Sequence, residues 1–320
     1  MRVLLWHVHG SWTTAFVAGG HDYLLPVTPA RDADGLGRAD TWQWPSSAQE
    51  VPLDRLAGCE PDVVLLQRPR DLELARQHLR CEPGLDVPAV WVEHNTPRGD
   101  VGAARHHVAD RSDIPVVHVT HFNQLFWDTG RAPSTVVEHG IVDPGLQYTG
   151  ELARVAVVVN EPARRGRITG TDLLPGFAAT APLDVFGMRV AGLGSALGVP
   201  PDVLGEHDDL PQDRLHAQMA RRRVYLHTAR WTSLGLSLLE AMHLGMPVVA
   251  VGATEAGEAV PHRAGVVSTQ LGALHDAVRV LMHEPELARE TGLRARQAAL
   301  DRYGLQRFLE DWDRLLKEVT

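Results

Sequence analysis

The segment 228–251 carries the residue types that bind a nucleotide. It opens with a turn of small residues that includes Thr232, Ser233 and Gly235, and Glu240 lies one or two turns into the helix expected next. Backbone N–H groups at such a turn can hold a diphosphate, and a carboxylate accepts hydrogen bonds from ribose hydroxyls. The spacing therefore predicts a nucleotide site, and an exposed helix carboxylate is the alternative for Glu240.

A run of arginines supplies charges for an anion. Arg164, Arg165 and Arg167 flank Gly166 in a chain that has 30 arginines and a single lysine, Lys317. A guanidinium is always charged and donates in a planar fork that suits phosphate oxygens. Any phosphate-binding cation of this chain is therefore expected to be an arginine, and a solvated basic loop is the alternative for all three arginines.

Several residues of the first half follow predicted strands. Gly10 comes after the first strand, where a glycine lets a ligand approach the backbone, although a tight turn explains it equally well. His94 follows a later strand, and His118 and His121 lie at the end of the next. Both of these can line a cleft, although hydrogen-bonded histidines of a strand end are the more usual case.

Two sequence patterns of ligand sites are missing. The chain has no GxGxxG, so the dinucleotide fingerprint is absent. Its 17 histidines include close pairs such as His7/His9 and His106/His107, but these pairs lack a converging third-ligand motif.

Short apolar, β-branched runs alternate with helix-capable segments along the whole chain. Fully apolar strands that alternate with helices are typical of parallel sheets covered on both faces, so we predict an α/β fold. The predicted strands span residues 3–8, 23–27, 62–66, 89–92, 116–119, 136–137, 155–159, 184–186, 224–227, 247–251 and 265–267.

The length of 320 residues predicts about two domains, because a single core rarely organises so long a chain. A turn-rich stretch, EHGIVDPGLQYTG, interrupts the pattern before it restarts. We place the first domain at 1–148, the second at 149–302, and a C-terminal helical segment at 303–320, with the break between the last two helices near Gly304.

Net charge, cysteine spacing and the lack of long apolar runs narrow the class of protein further. The net charge of −9 and pI near 6.0 disfavour a general nucleic-acid binder. Cys59 and Cys81 lack CxxC spacing, so free thiols of a reducing compartment are expected. No run approaches 18 apolar residues, and the start of the chain is unlike a signal peptide. We expect a soluble cytoplasmic protein without an integral membrane segment.

The segment TSLGLSLLEAMHLGMPVVA resembles the signature of retaining glycosyltransferases of family 4 (glycosyl transferases group 1). In weaker form, VEHGIVDPG resembles the family's interdomain element, PARRGRITGTDLL takes the place of its phosphate loop, and GVVST resembles the segment after its last strand. The resemblance implies the GT-B fold, in which two Rossmann-like domains face each other across a cleft and the C-terminal helix returns to the first domain.

The resemblance also implies roles for individual residues. Glu240 matches the glutamate that binds the donor ribose, and Thr232 stands where the family has the first glutamate of an E-x7-E pair that contacts the transferred sugar. Arg165 replaces a lysine of the phosphate loop, and His94 matches a histidine near the reacting sugar. The implied catalytic residues are His94 and Arg165, the donor-binding residues are Gly10, Arg164, Arg167, Thr232, Ser233, Leu234, Gly235, Leu236 and Glu240, and the acceptor-side residues are His118 and His121.

The function implied is retaining, metal-independent transfer of a sugar from a nucleotide-diphosphate sugar to a small-molecule or glycan acceptor, with no cofactor besides the donor substrate. Because Thr232 departs from the family pattern, a GT-B pseudo-enzyme that binds nucleotide sugars without transfer is the alternative. An epimerase acting on a nucleotide sugar is a third hypothesis.

Overall fold

The computed structural model describes residues 1–39 and 42–320, which form two compact units. The first unit consists of Met1–Val142 together with Leu305–Thr320, and the second consists of Asp143–Gly304. Each unit is built around its own parallel sheet.

The sheet of the first unit has seven strands over the described residues, and every pair is parallel. Their order is β3-β2-β1-β4-β5-β6-β7, and the inner strands are mostly buried, with Val and Leu as their commonest residues. The strands are β1 (Arg2–Leu5), β2 (Asp22–Val27), β3 (Ala48–Pro52), β4 (Val63–Leu66), β5 (Ala89–Glu93), β6 (Val116–His118) and β7 (Ser134–Val136).

Helices connect these strands. The longest begins at Pro69, and its start is fixed because the Asp71 carboxylate accepts from the backbone N–H of Gln67 and of Arg68 at 3.0 Å each. The helices are α1 (Gly10–Phe16), α2 (Pro69–Leu79) and α3 (His121–Phe126), with short 3₁₀ helices at Leu53–Gly58 and Val101–Ala103.

The second unit has a six-stranded parallel sheet in order β10-β9-β8-β11-β12-β13. Its strands are β8 (Leu152–Val158), β9 (Leu183–Gly187), β10 (Leu204–Asp208), β11 (Arg222–His227), β12 (Val248–Val251) and β13 (Gly265–Ser268). Its helices are α4 (Pro162–Arg165), α5 (Leu174–Ala178), α6 (Leu193–Leu197), α7 (Gln212–Ala220), α8 (Leu236–His243), α9 (Ala256–Ala259), α10 (Leu271–His283) and α11 (Pro285–Tyr303), with 3₁₀ helices at Gly166–Ile168 and Thr171–Leu173.

The last helix, α12 (Leu305–Val319), belongs to the first unit. Its buried Trp312 packs edge-to-face on Trp12 and Phe16 of α1, at ring-centroid distances of 5.7 and 5.2 Å. The predicted return of the C-terminal helix to the first half of the chain is confirmed.

The predicted α/β class with two parallel sheets is also confirmed, and each of the 11 predicted strands overlaps an observed one. The first strand ends at Leu5, three residues earlier than predicted. Two strands, β3 and β10, are not predicted, and both lie at a sheet edge, where polar side chains reach water and no apolar run forms. No helix in the described parts of the chain has the length and apolarity needed to cross a bilayer.

Candidate functional site

In the second unit the chain changes its direction across the sheet between two neighbouring strands. It runs from β8 outward to β9 and β10, and then returns to β11 on the other side of β8. Two segments leave the carboxyl ends of these neighbours: the basic loop, residues 162–173, and the small-residue turn, residues 228–235. Parallel sheets bind ligands in the crevice that opens at such a point.

The basic loop and the small-residue turn are held together by hydrogen bonds. Thr228 Oγ1 donates to the backbone carbonyl oxygen of Thr169 at 2.7 Å. The backbone N–H groups of Arg230 and Trp231 both donate to the carbonyl oxygen of Ile168, at 2.9 and 3.2 Å. These contacts make one rim from two segments that are about 60 residues apart in the chain.

An ion pair reinforces this rim. Both terminal nitrogens of Arg230 donate to the carboxylate of Asp172, at 2.5 and 3.0 Å. The hydrogen bond from Arg230 is the main reason that the pKa of Asp172 lies below its usual value. The pair is bidentate, so it fixes the orientation of the two segments as well as their separation.

Glycines allow the close approach of the two segments. Gly170 has φ +73° and lies against the Thr228 carbonyl group, so a side chain there would collide with that backbone. At the other end of the small-residue turn, Gly235 lies against the ring of His227, the last residue of β11, and leaves no room for a side chain.

The predicted donor-binding residues of the small-residue turn lie at the start of α8. Ser233 and Leu234 are buried, whereas Thr232, Gly235 and Leu236 are half-buried. Gly235 is the N-cap and supplies no side-chain hydrogen bond. The Leu238 N–H donates to the Gly235 carbonyl oxygen at 2.9 Å. The first N–H groups of a helix generally lack i−4 partners, which suits this end of α8 to an anion.

Glu240 lies in α8 and is only 5% exposed, so the alternative of an exposed helix carboxylate is wrong. Its Oε2 lies 3.5 Å from Nε2 of His216 on α7. One turn earlier in α8, the hydroxyl group of Ser237 is hydrogen-bonded to that of Tyr225 on β11 at 2.9 Å. The carboxylate is therefore placed in a polar cluster inside the second unit.

The three arginines of the basic loop differ in their surroundings. Arg164 pairs with Glu161, and Arg167 with Asp172 at 2.9 Å, and both guanidinium groups are largely exposed. Arg165 ends α4 between them and is half-buried. The predicted cation thus lies in the loop that follows the carboxyl end of β8.

His227 is indicated by the sequence only as a strand end. The structure buries its ring against Gly235, and burial lowers its pKa to about 4. It is therefore neutral at pH 7 and lies directly before the small-residue turn. Its position as the last residue of a buried strand is the signal that could have identified it.

In the first unit the corresponding change of direction lies between β1 and β4. Gly10 opens α1 beyond β1, and the ring of Trp42 occupies the space that a side chain at this position would need. Nearby, the Gln67 amide donates to the carbonyl oxygen of Trp6 at 2.7 Å. Gly10 thus has a packing role that the sequence did not indicate.

His94 follows β5 and is 9% exposed. The centroid of its ring lies 4.1 Å from the ring centroid of His9 and 5.0 Å from that of Trp12. Burial, together with the neighbouring His9 and His139, holds the pKa of His94 well below its usual value. Burial also lowers the pKa of His9 to about 4, so the two imidazoles are neutral at pH 7 and can both donate and accept hydrogen bonds.

His118 and His121 have contrasting positions. His118 ends β6 with its side chain fully buried, and neither ring nitrogen has a hydrogen-bond partner among the described residues. The hydrogen bonds expected for a strand-end histidine are therefore missing there. His121 is the first residue of α3 and is exposed.

Among the described residues, imidazole groups that meet a carboxylate do so in small contacts and not in metal-type clusters. Within residues 1–39 and 42–320, no three His, Cys, Asp or Glu side chains come together as a metal site would require. The Glu93 carboxylate is instead paired with Nε2 of His106 at 3.1 Å, and it accepts from the backbone N–H of Asn95 at 2.6 Å.

Comparison with known families gives one match. Residues 207–298 match the model described as glycosyl transferases group 1, a range that contains α7, the small-residue turn and α8. These residues thus form part of a glycosyltransferase domain. No curated protein matches the chain.

Solved structures match almost the whole chain at low identity. Sucrose-phosphate synthase from Thermosynechococcus elongatus is 13% identical, with a TM-score of 0.73 over 99% of this chain and 98% of that one. Anabaena Alr3699/HepE in complex with UDP is 15% identical, with a TM-score of 0.71 over 99% of both chains. A glycosyltransferase from Rickettsia africae is 13% identical, with a TM-score of 0.69 over 99% and 98%. The likeness shows that the chain has the GT-B glycosyltransferase fold.

Proposed function

We propose that the chain is a retaining, metal-independent glycosyltransferase of family 4 that takes its sugar from a nucleotide-diphosphate donor bound to the second unit. The observation that carries the proposal is the hydrogen-bonded rim made by the basic loop and the small-residue turn, with Glu240 on the helix that follows. It brings a cation, a helix start and a carboxylate to the carboxyl ends of neighbouring strands.

In this proposal, each part of the rim binds one part of the donor. Arg165 and the N–H groups at the start of α8 hold the diphosphate, and Glu240 accepts from the ribose hydroxyls. Thr232 contacts the sugar with a hydroxyl in place of the family's carboxylate. Arg164 and Arg167 add charge at the edge of the loop, where both are exposed.

Transfer requires that the bond between the sugar carbon and the donor phosphate oxygen breaks while a bond to the acceptor oxygen forms on the same face. A donor phosphate oxygen takes the acceptor proton, so no protein carboxylate is needed as a base. The protein contributes positioning and stabilisation of the charge that grows on the departing diphosphate. Retention and metal independence rest on the family resemblance.

We assign the acceptor to the first unit. His94 is the catalytic residue that the family resemblance implies for this unit, and His118 and His121 belong to the acceptor side. Neutral imidazoles next to aromatic rings favour an uncharged hydroxyl compound, and we expect a small molecule or glycan. Two free cysteines, Cys59 and Cys81, are compatible with a cytoplasmic location.

Anabaena Alr3699/HepE has been solved in complex with UDP and, in a second structure, with UDP-glucose. Uridine nucleotides are therefore the first donors to test. Because Thr232 replaces a glutamate, the second candidate is a protein that binds nucleotide sugars without transferring the sugar.

The test offers the purified protein a panel of UDP-, GDP-, ADP- and dTDP-sugars with and without sugar and polyol acceptors, and measures nucleoside diphosphate release. Acceptor-dependent release that is lost in Glu240→Ala supports transfer. Binding without release under every acceptor supports the binding protein. A protein that binds none of these nucleotides contradicts both.

A further inference from the structure

Glu240 lies beside a histidine on another helix. Helix α7 packs against α8 and against β11. His216 on α7 and Glu240 on α8 have side chains that are only 10% and 7% exposed, and His216 Nε2 lies 3.5 Å from Glu240 Oε2. The pair is therefore enclosed within the second unit.

The hydrogen-bonding roles follow from what each group can do. A carboxylate only accepts hydrogen bonds, so the contact is attractive when Nε2 of His216 carries the hydrogen. The side-chain amide nitrogen of Gln212 lies 2.8 Å from the same Nε2. A half-turn of the amide group places its oxygen there instead, and the single hydrogen on Nε2 is then shared between this oxygen and the Glu240 carboxylate.

Gln212 and His216 are four residues apart on α7, so they lie on one face of the helix. The half-buried Gln212 thus holds the plane of the imidazole, and the imidazole holds one oxygen of Glu240. A buried carboxylate that is fixed in this way presents its oxygens in one orientation rather than several.

We infer that His216 is a positioning residue that orients the Glu240 carboxylate for the ribose diol of the donor. The inference rests on the proposed function, in which Glu240 binds ribose. A vicinal diol places two O–H donors side by side, so a carboxylate of fixed orientation distinguishes a ribose from a deoxyribose. His216 thereby acts on the selectivity for the sugar of the nucleotide and touches no substrate itself.

The experiment measures Kd by calorimetry for UDP and for 2′-deoxy-UDP and 3′-deoxy-UDP, and uses GDP or ADP in the same three forms if one of those is the nucleotide bound. The wild type is expected to prefer the ribonucleotide about tenfold or more, the value of one hydrogen bond to a charged group. Glu240→Gln should lower the ratio, because an amide oxygen accepts a weaker hydrogen bond from a ribose hydroxyl than a carboxylate oxygen does.

His216→Leu is expected to lower the ratio at least threefold, and His216→Gln, which keeps an N–H donor, should restore most of it. Partial unfolding lowers the apparent affinity for all three nucleotides by the same factor, so the ratio is unaffected by folding losses. His275→Leu, in α10 of the same unit, removes a half-buried histidine that is hydrogen-bonded to Thr180 at 2.7 Å and serves as the matched control.

If Glu240→Gln changes the ratio and His216→Leu leaves it at the wild-type value, the role of His216 is refuted and the proposed function stands. The role of His216 is equally refuted if His216→Leu and His275→Leu lower the ratio by the same factor. If the wild type binds none of the nucleotides, both the proposed function and the inference are overturned.

Discussion

The side-chain hydroxyl of Thr228 donates a 2.7 Å hydrogen bond to the backbone carbonyl oxygen of Thr169. Both residues are buried, at 3% and 4% exposure, and they belong to segments that follow different strands of the sheet. Their contact fixes the distance between the basic loop and the small-residue turn before any ligand binds. A preformed rim lowers the free energy needed to order the site on binding.

Replacing Thr228 by Val keeps the shape and removes this hydrogen bond. We expect a loss of about 1–3 kcal/mol in the free energy of unfolding, because the Thr169 carbonyl is left buried without this donor. Donor affinity should fall as the rim loosens. Urea denaturation and nucleotide titration check the two effects, and an unchanged nucleotide Kd would show that the rim is rigid without Thr228.

Arg165→Ala should weaken binding of the donor diphosphate about tenfold to a hundredfold, the range for a hydrogen bond to a charged group. Arg279→Ala, on the exposed face of α10 and paired with Asp276, is the control for loss of an average arginine. Calorimetric Kd values for UDP give the comparison. Equal effects of the two changes would remove Arg165 from the site.

Gly170→Ala is expected to be strongly destabilising, because the residue has φ +73° and an added side chain meets the backbone of Thr228. Thermal unfolding should show a Tm several degrees lower. Gly272→Ala is the control, since it lies in α10 with open space around it and should leave Tm unchanged or slightly raised. Equal Tm values for the two variants would contradict the described approach of the two segments.

Much of the fold could be predicted because strands buried on both faces must be apolar throughout. Runs such as Val63–Leu66 and Val248–Val251 can therefore be recognised as buried strands from the sequence. The edge strands Ala48–Pro52 and Leu204–Asp208 have only one neighbour, tolerate polar residues and leave no such signature.

The candidate site was predictable in part. Glu240 and the small-residue turn stand close together in sequence, so their spacing could be read directly. The contact of Glu240 with His216 depends on how α7 packs against α8, and that of His94 with His9 depends on the order of β1, β4 and β5 in the sheet. Neither relation has a local sequence signal, because tertiary packing creates both.

Buried histidines should make the protein sensitive to acid. Burial lowers the pKa of His118 to about 4, below the value near 6.5 of the unfolded chain. The unfolded state then binds more protons than the folded state between these two pH values. The contribution of the neutral His118 ring to the free energy of unfolding is therefore fully present above pH 6.5 and is lost as the pH falls toward 4. This histidine alone contributes about 3 kcal/mol to that loss.

His118→Leu should therefore reduce the slope of stability against pH between 6.5 and 4, measured by urea denaturation at several pH values. Stability at pH 7 should be equal or higher, since the ring nitrogens make no hydrogen bond among the described residues. His121→Leu, at an exposed position three residues later, is the control. An unchanged slope in His118→Leu would show that His118 does not titrate with folding.

Binding of a nucleoside diphosphate through Glu240, at the carboxyl ends of β8 and β11 in the second unit, is the central proposal for this protein. Calorimetric titration of UDP, GDP, ADP and dTDP into the wild type and into Glu240→Gln tests it most directly. We predict saturable one-to-one binding of one of these nucleotides, weakened at least tenfold in a variant whose circular dichroism spectrum matches the wild type. Equal affinity of the two proteins, or no binding by the wild type, would contradict the proposal.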